Sequence, residues 1–210
     1  MQEASEHALE TSEPTVEGPP PEAPAADSLN KAVASLAGKL GADYFPKGDL
    51  ARLRRGDRGA PPPSAFWRLY LDLVADAPFL GARDEDSWRI ILQCMAIMAP
   101  NIHNPERRLG RVLAGLMRAN QQPSLESRFL KLLSCRGRML REQVRHMARL
   151  LASRNLSVDW VQLAQLILAD AARRSERIRR NMARDFYIED RKNSSKTVDI
   201  DHFENQGEAS

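Results

Sequence analysis

Cysteine is nearly absent from these 210 residues, and the two present, Cys94 and Cys135, lie far apart. Such a pair excludes a disulfide framework and a CxxC metal or redox site. Aromatic residues make up only 6% of the chain. That is too few, without a strand pair of the RNP kind, for a base-stacking sheet, and Trp67, Trp88 and Trp160 are all expected on core-facing sides. The longest apolar run, Ile90–Ala99, is ten residues interrupted by Gln93, whereas a bilayer span needs about 20, so no membrane contact is expected. No basic segment followed by an apolar one opens the chain, so no signal peptide is expected and the chain reads as soluble and cytoplasmic. Threonine is missing between residues 29 and 188, and glycine between 138 and 206.

Catalytic signals are equally scarce. There is no GxGxxG, GxxxxGK or HExxH pattern, so neither a nucleotide loop nor a zinc site is visible. Of four histidines, His7 and His202 fall near the ends, leaving His103 in a loop and His146 on a helix, both read as structural or solvated. Ser28-x-x-Lys31 is a helix cap followed by a surface lysine, because the companion motifs of an acyl-transfer enzyme are missing. No enzyme activity, cofactor or metal is expected.

What the chain does have is unevenly distributed charge. The overall +3 conceals a leader, residues 1–28, with seven acids and no Lys or Arg. A tail, 189–210, has six acids against three bases, and a middle, 29–188, has 28 bases against 15 acids, a net +13. Arginine supplies 24 of those 28 bases. The leader carries five prolines and almost nothing large and apolar, so it cannot offset its ordering entropy and is expected to be disordered, as is the polar tail.

The middle reads as all-α. It holds 24 Leu against six Val, a composition that favours helix over strand. Helices are predicted from Ser28 to Leu40 and after the cap Ser64. Acids at 84–86 open the next, which Pro100 stops, and Asn104-Pro105-Glu106 reads as cap, N1 proline and first-turn acid of a helix to Arg118. Further helices are predicted near 124–134, 137–153, 158–172 and 174–187. Two small bundles, 29–120 and 121–188, joined near 119–123, are the expected architecture between the two disordered acidic ends.

Arginine recurs at helical spacing. Arg138, Arg141, Arg145 and Arg149 step by three and four, as do Arg173, Arg177, Arg180 and Arg184. Each set therefore lines one helix face. Arg107, Arg108 and Arg111 form another cluster, and Arg54-Arg55 stands before Gly56. Few acids sit at i±3 or i±4 from these stripes. Unneutralised arginine repels itself unless a polyanion supplies counter-charge, and its planar fork suits phosphate. No helix carries Asn, Gln and Ser poised for base edges, so contact with sugar-phosphate backbone is the expectation. The alternative is a purely structural helical subunit whose arginines dock acidic protein neighbours.

Several segments in order resemble a known family. They are Leu109-Gly110-Arg111-Val112-Leu113-Ala114, Glu126-Ser127-Arg128-Phe129-Leu130-Lys131-Leu132-Leu133, Ala148-Arg149-Leu150-Leu151, Asp159-Trp160, and Arg173-Arg174 leading to Arg184-Asp185-Phe186. Upstream, Gly48-Asp49-Leu50-Ala51-Arg52-Leu53-Arg54-Arg55 precedes Ala65-Phe66-Trp67-Arg68-Leu69. Over about 48–188 this order resembles CasB, the small subunit of type I-E CRISPR Cascade surveillance complexes. The resemblance implies a non-catalytic, all-helical protein present as two copies stacked head to tail. Its implied partners are the large subunit, the backbone subunits, the guide RNA and the target DNA, including the displaced single strand. It places nucleic-acid contacts on Arg55, Arg128, Arg149, Arg173 and Arg174, with Arg83 loosely matched. Arg111 belongs to the Leu-Gly-Arg segment and is divided between nucleic acid and a helix junction. Arg145 joins the set from the stripe it shares with Arg149.

Overall fold

The structure, a computed structural model, describes residues 23–56, 61–76, 85–169 and 172–204. Nine helices run through these residues: α1 (Ala23–Gly41), α2 (Lys47–Arg55), α3 (Ser64–Asp76), α4 (Glu85–Met98), α5 (Leu109–Ala119), α6 (Ser124–Ser134), α7 (Gly137–Ser153), α8 (Trp160–Leu168) and α9 (Ala172–Glu204). No strand occurs among the described residues, and the one extended pairing is an isolated bridge between His103 and Val158. The all-α expectation holds. The acidic leader as far as residue 22, Arg83, and residues 205–210 lie outside the described residues.

The apolar run that was too short for a membrane is the centre of the molecule. In α4, Trp88, Ile91, Leu92, Cys94, Met95 and Ala96 are fully buried, so this helix is enclosed on all sides. Burying an Ile, Leu or Met side chain contributes about 1.5–3 kcal/mol. Helices α1, α2, α3, α7 and α8 all pack against it. A second focus joins α5 to α9, where Leu109, Leu113, Met182 and Phe186 are buried and Phe186 stacks on Phe129 of α6 at 5.0 Å. Residues on both sides of 119–123 contribute to one continuous buried cluster.

Four boundaries differ from the sequence reading. Helix α1 begins at Ala23 rather than Ser28; alanines are strong helix formers and proline is tolerated in a first turn. Helix α5 begins at Leu109, not Pro105. The Asn104 side chain accepts from the Glu106 N–H at 3.0 Å, which closes a local turn instead of a helix. Backbone bonds from Asn104 N–H to the Val158 carbonyl and from Asp159 N–H to the Arg107 carbonyl then hold the 104–107 turn against the segment before α8. Helix α8 stops at Leu168, short of the expected 172. The last helix, expected to end near 187, runs on to Glu204, and no proline or glycine interrupts 189–204.

Candidate nucleic-acid interface

Each arginine cluster is sorted by the structure into side chains that face outward and side chains engaged within the fold. At the end of α2, Arg54 is exposed but tied to α4: its Nε donates to the Ala96 carbonyl at 2.8 Å and Nη2 to the Ala99 carbonyl at 3.2 Å. Both carbonyls lie at the C-terminal end of α4, where the regular helical ladder runs out. Its neighbour Arg55 is exposed, and its Nε donates to the Ala51 carbonyl at 3.5 Å.

The α7 stripe divides in the same way. Arg138 and Arg149 are exposed. Arg141 reaches α4, where Nη2 lies 3.4 Å from Ser87 Oγ and Nη1 lies 4.0 Å from the Asp86 carboxylate. Arg145 is mostly buried; its Nε donates to Gln93 Oε1 at 2.7 Å and its Nη1 pairs with Glu142 at 2.9 Å. A stripe that is uniform in sequence thus straddles a helix–helix contact, and its middle members bridge α7 to α4.

Between α6 and α7 lies a shallow groove of about 310 Å³, lined by Arg128, Lys131, Gln143, His146, Met147 and Leu150. Arg128, Lys131 and His146 are exposed. His146 stands one turn before Arg149, so the two share a face of α7. The groove brings Arg128 and Lys131 of α6 beside Gln143 and His146 of α7, a juxtaposition that spacing within either helix does not reveal. Lys131, Gln143 and His146 join Arg128 only through the packing of α6 on α7; within α6, Lys131 at i+3 from Arg128 is the signal that spacing offers.

The Leu-Gly-Arg segment has a structural explanation. Leu109 is fully buried. A Cβ on Gly110 would come within 2.5 Å of the Met182 carbonyl oxygen and 2.8 Å of the Phe186 nitrogen, so α5 and α9 touch backbone to backbone there. Arg111 Nε lies 3.7 Å from the Asp185 carboxylate, which Arg108 also reaches at 3.2 Å. Arg111 therefore stands at the helix junction, with about half its side chain exposed. Arg173, Arg174, Arg177, Arg180 and Arg184 are exposed along α9. Arg136 pairs with Glu176 at 3.1 Å, and the buried Arg179 donates to the Cys135 carbonyl at 2.9 Å.

Other reactive groups are absorbed by the fold. His103 Nδ1 accepts from the Trp160 N–H at 3.1 Å, which puts the ring proton on Nε2 when the histidine is neutral. Burial pushes the Cys94 thiol up to about 12, outweighing the opposing pull of Arg145 and Arg149. No group of three potential metal ligands occurs among the described residues, and no helix among them is long and apolar enough to cross a membrane. Trp88 and Trp160 are fully buried, as expected, whereas Trp67 is 37% exposed and packs edge-on against Phe66.

Several solved structures share this helical fold. The chain is similar to CasB from Thermobifida fusca, with 24% identity over 77% of this chain and 96% of that one, at a TM-score of 0.59. CasB from M. ruber matches at 22% identity, 78% and 97% coverage and a TM-score of 0.57. A chain of E. coli Cascade bound to a PAM-containing double-stranded DNA target matches at 23% identity, 75% and 97% coverage and a TM-score of 0.52. A search of curated proteins gave no match. The profile of CRISPR-associated protein Cse2 matches residues 49–187, and the chain belongs to the Cse2 family.

Proposed function

We propose that this chain is a non-catalytic small subunit of a type I-E CRISPR Cascade complex that holds nucleic-acid backbone and thereby stabilises the R-loop. Membership of the Cse2 family and the fold shared with a chain of E. coli Cascade bound to DNA support this reading. One observation carries it. Arg55, Arg128, Arg149, Arg173 and Arg174 project from four helices into solvent, and among the described residues no carboxylate pairs with any of them. Arg173 and Arg174 stand in the first turn of α9, which contains no acid. Cations are disfavoured there by the helix dipole, and an incoming phosphate relieves that. Sequence is read by guide pairing, so the subunit supplies contacts to backbone rather than to bases. A second copy, the large and backbone subunits, guide RNA and both target strands are its partners. Arg111 and Arg145, whose guanidinium groups already have carboxylates within the fold, contribute less.

The test is Arg55→Ala, Arg149→Ala and Arg174→Ala together in the assembled complex. Each lost phosphate contact on a single strand lowers the slope of log affinity against log salt by about 0.7, so the triple variant should lose about 2 units. Assembly should be intact and the R-loop less stable. An unchanged slope and R-loop would overturn the proposal. Disassembly on charge reversal, with no salt-dependent DNA binding by the wild type, would favour arginines that dock acidic protein neighbours.

A further inference from the structure

Gln93 is a polar side chain in the most buried stretch of the molecule, only 5% exposed and flanked by fully buried Leu92 and Cys94. A buried amide without partners costs about 1–3 kcal/mol, and here both ends are engaged. Its Nε2 donates to the carbonyls of Arg54 and Arg55, each at 3.2 Å. Its Oε1 accepts from Arg145 Nε at 2.7 Å. The two carbonyls are last-turn acceptors of α2, groups that a helix cannot satisfy by itself. Gly56, next in the chain, adopts φ 45°, and a Cβ there would collide with the Gln93 amide. The amide thus occupies the space beside Gly56. From the other direction Arg54 donates to the carbonyls of Ala96 and Ala99 at the end of α4. Each of the two helices caps the end of the other.

We infer that Gln93 and Arg145 form a positioning relay that fixes the end of α2 and so presents Arg55 to nucleic-acid backbone. This rests on the proposed function. Arg145 is oriented from both sides, by Gln93 and by Glu142, with its side chain 13% exposed. It is therefore a positioning residue rather than a phosphate contact, despite sharing a stripe with Arg149. Arg55 itself has one long contact, to the Ala51 carbonyl at 3.5 Å, so its placement depends on the backbone that carries it. Holding that backbone in advance removes an ordering cost from binding.

The test uses the full chain, a fluorescent oligothymidylate as the single-stranded probe, and amide exchange at Gly56, whose N–H donates to the Arg52 carbonyl. Arg145→Met and Gln93→Leu should each weaken binding about 2- to 10-fold, the cost of ordering one long side chain and its segment. The salt slope should stay the same and Gly56 should exchange faster. Arg145→Lys, which keeps a donor and the charge, should restore much of the affinity. In an Arg55→Ala background neither relay variant should weaken binding further. Gln93→Glu keeps the acceptor for Arg145 but loses both donors; it should speed Gly56 exchange even if Gln93→Leu proves too unstable to measure. Arg145→Met lowering the slope by about 0.7 and adding fully to Arg55→Ala would make Arg145 a direct phosphate contact and overturn the relay. Unchanged exchange at Gly56 in both Gln93 variants would overturn it too. If wild type shows no salt-dependent binding, the proposed function fails, and the exchange measurement then decides the relay alone.

Discussion

Replacing Gly110 by alanine should destabilise the protein, although the same change elsewhere in the same helix should stabilise it. At Gly110 the new methyl group would stand 2.5 Å from the Met182 carbonyl oxygen and 2.8 Å from the Phe186 nitrogen. Both are backbone atoms, so no rotamer change relieves the overlap. Ordinary contact requires α5 and α9 to separate by the better part of an ångström, loosening Leu109, Leu113, Met182 and Phe186, all buried at this seam. Overpacking of this kind costs about 1–3 kcal/mol. The offsetting gain in helix propensity, up to about 1 kcal/mol in a helix interior, is smaller here because Gly110 is the second residue of α5. The net expectation is a loss of about 2 kcal/mol, or a fall in Tm of about 4–8 °C for a chain of this size. Gly115 is the control: it lies in the interior of α5, and an added Cβ meets nothing within 4 Å. Gly115→Ala should gain about 0.5–1 kcal/mol. Urea unfolding followed by circular dichroism, at equal m, reads both variants. Equal stabilisation by the two substitutions would refute the close approach of α5 and α9.

Thiol labelling should separate the cysteines. With its pKa near 12, about one Cys94 in 10⁴ is thiolate at pH 8, so a disulfide reagent should modify the partly exposed Cys135 in the native chain and Cys94 only after unfolding; rapid native reaction of both would contradict the burial of α4. Burial raises the Asp159 carboxyl above its ordinary 3.8, outweighing the Val161 N–H it accepts. The folded state then holds that proton more tightly than the unfolded chain, so the stability contributed is complete below the ordinary value and lost as pH rises through the raised one. Asp159→Asn, which retains a capping acceptor, should flatten the dependence of Tm on pH above about 4 and be neutral or stabilising at pH 7; an unchanged pH profile would assign the dependence to another group.

Helix content was legible because it depends on short-range physics. Leucine excess, the absence of threonine and the punctuation by Pro100, Gly41 and Gly56 are readable within a few residues. After α7, Asn155 takes a left-handed φ of 54°, and the Asp159 side chain caps α8 by accepting from the Val161 N–H. Asn104-Pro105 misled because it satisfies a local rule, while the pairing that overrides it involves Val158 and Asp159, more than ten helical turns further along the chain.

The sequence by itself determined an all-α chain with an Arg-rich middle and carried family motifs in order. It did not divide the arginines. Whether Arg145 or Arg149, one turn apart on α7, meets solvent depends on where α4 packs, and whether Arg111 has a carboxylate depends on α9 bringing Asp185 to it. Helical period assigns residues to a face, but charge is neutralised through space. Only the tertiary structure sets an acid from position 185 beside arginines at 108 and 111, and leaves Arg55, Arg128, Arg149, Arg173 and Arg174 facing outward.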